Sequence, residues 1–147
     1  MRDWAHNFGA VSAVDPAVVV ADPAPITVDR SGYDAVTFVL MLGVGGIAFT
    51  AANRIDFIME HSDDGQIWDP VDATNVLDAV PDQAGVVLSQ RSAHPAATVH
   101  RFGYVDGTIG DRRYVRLRPA FAGTHGTGTA ISALAVLGNG RSLPAAA

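Results

Sequence analysis

The sequence predicts an all-β protein: a single antiparallel β-sandwich, jelly-roll or Ig-like, of about eight to ten short strands with extended termini. Three observations lead there. Fifteen glycines and eight prolines cut 147 residues into short pieces, which favours strands and turns over helices. Several pieces alternate with the two-residue period of a pleated strand, most cleanly Arg112 to Phe121, where Arg112, Tyr114, Arg116 and Arg118 share one face and Val115 and Leu117 the other. The turn signals also recur at about the 8–12-residue spacing of sandwiches and barrels.

Residues 1 to 16 have no clear period. Trp4, Phe8 and Val11 read either as anchors of an extended arm or as part of an edge strand laid on its own domain. Ala17 to Ala21 is a β-branched run stopped by Asp22-Pro23, and Pro25 to Asp29 is a second brief strand. Arg30-Ser31-Gly32 turns the chain. Ala35 to Leu42 is nearly all apolar, which predicts a central strand covered on both sides. Asn53 to His61 alternates, with Ile55, Phe57 and Met59 opposite Arg54, Asp56, Ile58 and Glu60. Ser62-Asp63-Asp64-Gly65-Gln66 signals a hairpin whose return strand begins at Ile67-Trp68 and stops at Pro70. Thr74 to Ala79 reads as one helical turn capped by Thr74. Val86 to Gln90 is a strand. Thr98 to Tyr104 leads into a further strand–turn–strand unit through Asp106-Gly107 and Gly110-Asp111. Thr129 to Leu137 is the last strand, with Ile131, Ala133, Ala135 and Leu137 on one face and Leu134 and Val136 on the other. The implied organisation is an N-terminal arm over 1–16, one sandwich domain over 17–138 and a C-terminal tail over 139–147.

Composition narrows the function classes. With 48% hydrophobic and 17% charged residues, the chain suits a packed core rather than disorder. A net charge of -5 argues against a broad nucleic-acid surface. No cysteine is present, which excludes disulfides and thiolate metal sites. Asp3 and His6 interrupt the stretch where a signal peptide would be apolar, so secretion by that route is not expected. Ala35 to Ala52 comes nearest to a membrane span but holds three glycines, so no membrane partner is expected.

No arrangement of side chains reads as a catalytic centre, and no cofactor is expected. His6, His61, His94, His100 and His125 lack the tight pairing of a zinc site. Gly43-Val44-Gly45-Gly46 lacks the lysine of a phosphate loop. Glu60 and Asp63 are a conceivable acid–base pair that nothing places in a pocket. Asp63, Asp64, Gly65 and Trp68 resemble a calcium loop or an Asp-box only in part, and fit better as a structural hairpin with the tryptophan packed over the turn. The arginine face, Arg112, Arg116 and Arg118 with Tyr114, suits a protein interface; the plainer reading is the solvated face of an edge strand guarded by charge.

Three stretches in order are Tyr33-Asp34-Ala35-Val36-Thr37-Phe38-Val39, Glu60 through Trp68, and Gly103-Tyr104-Val105 followed by Arg113-Tyr114-Val115-Arg116-Leu117, with a closing Ala133 to Gly138. Over residues 30 to 140 this pattern resembles the small head-decoration, or cement, proteins of tailed bacteriophages and prophages. The resemblance implies a non-enzymatic virion protein, made in the host bacterial cytoplasm. It would bind the outer surface of the major capsid protein lattice as a homotrimer and stabilise the shell. The resemblance carries over no binding residue; on this chain's own pattern Trp4 and Phe8 of the arm and Arg112, Tyr114, Arg116 and Arg118 are the candidates for capsid or subunit contacts. Two other classes remain open. One is a carbohydrate-binding or adhesive module of a phage tail or head fibre, with Trp68, Tyr104 and Tyr114 as sugar platforms. The other is a hydrolase built on Asp63-Asp64.

Overall fold

A computed structural model of the chain describes residues 4–105 and 112–141. Ten strands form two antiparallel sheets packed as a sandwich: β1 (Gly9–Val19), β2 (Val28–Asp29), β3 (Tyr33–Gly45), β4 (Arg54–Ser62), β5 (Asp69–Pro70), β6 (Val76–Leu77), β7 (Val86–Gln90), β8 (Thr98–Tyr104), β9 (Tyr114–Ala122) and β10 (Thr129–Gly140). Sheet A runs β1-β10-β3-β8-β6. Sheet B runs β2-β9-β4-β5, with β7 also on β4.

The alternating strands fold as their period dictates. Val36, Phe38, Leu40 and Leu42 of β3 point inward and are at most 1% exposed, as are Ile55, Phe57 and Met59 of β4 and Val115 and Leu117 of β9. Ile131, Ala133, Ala135 and Leu137 of β10 close the same core. Burial of these faces is the main favourable term that holds the two sheets together.

Connectivity differs from the hairpin picture. Among the described strands, β4 and β5 are the sole neighbours in sequence that pair; every other ladder joins distant segments. The unit expected across Arg101 to Phe121 is therefore a crossover between sheets. β8 pairs with β3 and β6 in sheet A, while β9 pairs with β4 and β2 in sheet B. β6 takes the edge of β8 at Gly103 and Tyr104, and β2 takes that of β9 at Tyr114 and Val115, the positions where a hairpin between the two would have to begin. The turn residues Asp106-Gly107 and Gly110-Asp111 lie outside the described residues, as does the tail beyond Arg141.

Three other expectations are corrected. The arm does not end at residue 16: β1 begins at Gly9 and pairs with β10 from Gly9↔Leu137 to Val19↔Thr129, so the edge-strand reading holds for that stretch and absorbs Ala17 to Val19. Of Pro25 to Asp29, only Val28–Asp29 is strand. Thr74 does not cap a helical turn. The Asp72 carboxylate accepts from the Thr74 backbone N–H at 2.7 Å, and Val76–Leu77 then pairs with Gly103 and Tyr104 of β8.

β3 is central, as expected, but it is covered on one side only. Its outward residue Met41 is 46% exposed. Sheet B packs on one face of sheet A, and no described element covers the other.

One buried polar pair sits between the sheets. His61, on the inner face of β4, meets the Tyr104 hydroxyl at 2.9 Å through Nδ1, while its Nε2 has no partner. Burial, reinforced by the Arg112 cation, holds the His61 pKa below its ordinary 6.5. Burial lowers His100 in the same direction. A histidine whose folded pKa is depressed costs nothing above pH 6.5, where both states are neutral. As pH falls below that, the unfolded chain takes up the proton and the folded one resists, so stability declines. Denaturant melts from pH 7.5 to 5 are expected to show this decline, and His61→Gln is expected to flatten it. A wild-type protein equally stable across that range would refute the assignment. The lowered carboxylates Asp29, Asp64 and Asp72 act in a separate, more acidic window, below their ordinary 3.8.

Candidate functional site: two outer faces of opposite character

The outward side of sheet B carries the arginines, and each has an acidic partner in the same chain. On β9, Arg116 Nε donates to Glu60 Oε2 at 2.7 Å and Arg118 Nη2 reaches Glu60 Oε1 at 3.3 Å. The register explains it, because Glu60 of β4 lies directly opposite Arg116. Arg112 Nη1 donates to Asp69 Oδ2 at 2.6 Å, with Asp63 at 3.8 Å. Arg113 holds Asp29 with two bonds, at 3.0 and 2.7 Å, which draws the Asp29 pKa down. β9 lies between β4 and β2, though β2 pairs with Tyr114 and Val115 alone. Its arginines are matched by acids of the same chain, and Glu60 is engaged by arginines rather than poised beside Asp63 as an acid–base pair.

The hairpin after β4 is built by local polar bonds. Ser62 Oγ accepts from the Gly65 N–H at 2.9 Å, and Asp64 Oδ1 accepts from the Gln66 and Ile67 N–H groups at 2.8 and 2.9 Å. Those two N–H bonds lower the Asp64 pKa and commit its carboxylate to the turn. They also take the backbone donors of residues 66 and 67 out of any ladder, so the return strand starts at Asp69 rather than at Ile67-Trp68. Gly65 sits at φ 71°, a conformation that glycine adopts without strain.

The aromatic side chains are distributed differently from expectation. A Cβ built on Gly65 would lie 3.7 Å from the Tyr114 ring, so Tyr114 covers the turn. Trp68 is half-buried and stacks on the Arg116 guanidinium, 4.0 Å from its centroid. Tyr104 is fully buried between the sheets, which removes it from any exposed row of sugar platforms. Trp68→Ala is therefore expected to cost ~1–2 kcal/mol, the scale of a half-buried cation–π contact with some packing. A loss of ~3–5 kcal/mol in a urea melt, the figure for a core aromatic, would show that the ring is buried after all.

The outward side of sheet A is the reverse. On β3 and β10 its residues are Ala35, Thr37, Val39, Met41 and Gly43, and Ala130, Ser132, Leu134, Val136 and Gly138, with no charge among them. Val18 of β1 and Val99 of β8 extend the patch, at 65% and 67% exposed, beside Met41 and Leu134 at 46% and 39%. Arg101, paired with Asp78 at 3.1 Å, marks its β8 margin. The patch dips into a groove of about 430 Å³ where Pro16, Val18, Met41, Val99, Ala130 and Ser132 meet. Soluble monomers seldom leave a contiguous apolar surface of this kind open.

The free edge of sheet A is guarded. β1 is bulged between Ser12 and Val14 and again between Val14 and Ala17, and Pro16 offers no N–H. The β1 edge is thus a poor template for an added strand. Of the N-terminal candidates, Phe8 is half-buried beside β1, while Trp4 stands 77% exposed. Among the described residues, no cluster of histidines or carboxylates has the geometry to hold a metal ion.

Sequence reasoning singled out the arginine face and passed over the sheet A face. Its signal was present: β3 and β10 are apolar in both phases of the strand period. No family model matches the chain, and no curated protein matches it. Among solved structures, the SPBc2 prophage-derived protein YomS is similar at a TM-score of 0.45 and 9% identity, over 89% of this chain and 92% of that one.

Proposed function

We propose that this protein is a structural, non-enzymatic virion component: a head-decoration protein. It sits as a homotrimer on the outer surface of the major capsid protein lattice and stabilises the shell. The observation that carries the assembly part of this reading is the apolar outer face of sheet A, uncharged along β3 and β10, which a free monomer would expose to water. The capsid part rests on the order of the Tyr33 to Val39, Glu60 to Trp68, Gly103 to Val105 with Arg113 to Leu117, and Ala133 to Gly138 stretches, which resembles phage decoration proteins. A capsid offers local three-fold positions, and a closed three-fold ring repeats one set of contacts three times. Linked contacts raise the effective concentration, so a trimer grips tightly even where each subunit's hold is weak.

The test is co-sedimentation of the purified protein with phage shells that lack decoration. The protein is expected to pellet with the shells, to saturate at a stoichiometry set by their three-fold positions, and to raise their resistance to heat. A protein that stays in the supernatant at all concentrations would overturn the capsid assignment.

A further inference from the structure

Resting on that oligomeric reading, and naming the contact that makes it, we infer that Trp4 of one copy seats in the apolar groove of sheet A on the next. Trp4 has the character of an anchor without a seat on its own chain: a large aromatic, 77% exposed, just ahead of β1. The groove has the complementary character. Pro16, Val18, Met41, Val99 and Ala130 line it, and its volume of about 430 Å³ is within the range of sites that bury a ring. Ser132, also in the lining, offers a hydroxyl acceptor to the single N–H of an indole.

Chain length excludes the same copy as the source of the occupying Trp4. β1 leaves the arm at Gly9, opposite Leu137, whereas the groove lies at the other end of the strand, where Val18 faces Ala130. Nine residue steps separate those ends, ~30 Å of strand. The five steps from Trp4 to Gly9 reach at most ~17 Å, and the bond from the Asn7 N–H to the Trp4 carbonyl, 3.1 Å, folds them shorter still. Trp4 therefore falls short of its own groove. In a trimer each copy donates one arm and accepts one. Charge poses no obstacle, since the outward positions of β3 and β10 carry none. The guarded β1 edge directs the incoming segment onto the face.

Sedimentation velocity over a concentration series tests this on the full chain. Trp4→Ala is expected to weaken self-association by about thirtyfold or more, the scale of a tryptophan hot spot, with an unchanged far-UV spectrum because the side chain is largely exposed on its own fold. Val99→Lys, at a position 67% exposed, is expected to do the same from the groove side. The cysteine-free chain gives a direct check. A mixture of Ala5→Cys and Ala97→Cys proteins is expected to form a disulfide-linked dimer in much higher yield than a mixture of Ala5→Cys and Ile67→Cys, whose cysteine is exposed in the hairpin of sheet B. A wild-type monomer, wild-type assembly by both Trp4→Ala and Val99→Lys, or equal cross-linking in the two mixtures would each overturn the inference. The two readings fail separately. A Trp4-dependent oligomer that ignores shells removes the capsid role alone, and a shell-binding oligomer indifferent to Trp4 removes only the arm contact.

Discussion

Replacing Tyr104 by alanine is expected to destabilise the domain by ~3–5 kcal/mol, the scale for truncating a core aromatic. That is a large share of the ~5–15 kcal/mol that holds such a domain folded. Tyr104 is 0% exposed, on the inner face of sheet A. Its hydroxyl meets His61 Nδ1 at 2.9 Å, and the Arg30 guanidinium lies 5.4 Å from its ring centroid. Truncation removes the ring from between the sheets and leaves His61 buried with neither nitrogen bonded. The conservative change separates these effects. Tyr104→Phe keeps the ring and removes the oxygen, so it is expected to cost ~1–3 kcal/mol, the range for a buried polar group left without its partner. Urea unfolding of the three proteins provides the comparison. If Tyr104→Phe is as stable as wild type, the His61 contact contributes nothing.

The second large effect is expected at Glu60. Its side chain is 14% exposed and is shared by Arg116 and Arg118, at 17% and 30%. Glu60→Ala leaves two guanidinium groups close together and half out of water, at an expected cost of ~2–3 kcal/mol. That lies below the ~3–5 kcal/mol of a fully buried broken pair because solvent still reaches the cluster. Removing charge on both sides is expected to cost less than the sum. A double-mutant cycle of Glu60→Ala with Arg116→Met measures the coupling, expected at ~1–2 kcal/mol. Additive losses would show that the arginines are held by packing alone, with Arg116 leaning on Trp68. The cycle also bears on function: an arginine face that is neutralised within the chain has little charge left to recruit an acidic partner, so binding by shells is expected to depend less on Arg116 than on the sheet A face.

Period-two patterns in the sequence by themselves determined that the protein is all-β, and which side chains of β4, β9 and β10 face the core. Ile55, Phe57 and Met59, Val115 and Leu117, and Ile131 to Leu137 point inward as their alternation requires, because a pleated strand has only two faces and burial selects the apolar one. The Ser62 to Gln66 turn was equally legible, since its bonds are between neighbours in the chain. What only the tertiary structure decided is everything that depends on which distant strands meet. It sent Thr98 to Tyr104 and Tyr114 to Ala122 into different sheets, placed Glu60 opposite Arg116, and buried Tyr104 against His61. Local pattern carries no information about pairing partners far along the chain. It also decided the meaning of Ala35 to Leu42. A strand apolar on both sides is one that hides both faces, and sequence alone does not say where. The fold supplies sheet B for one face and leaves the other, with Met41, Val99 and Leu134, exposed.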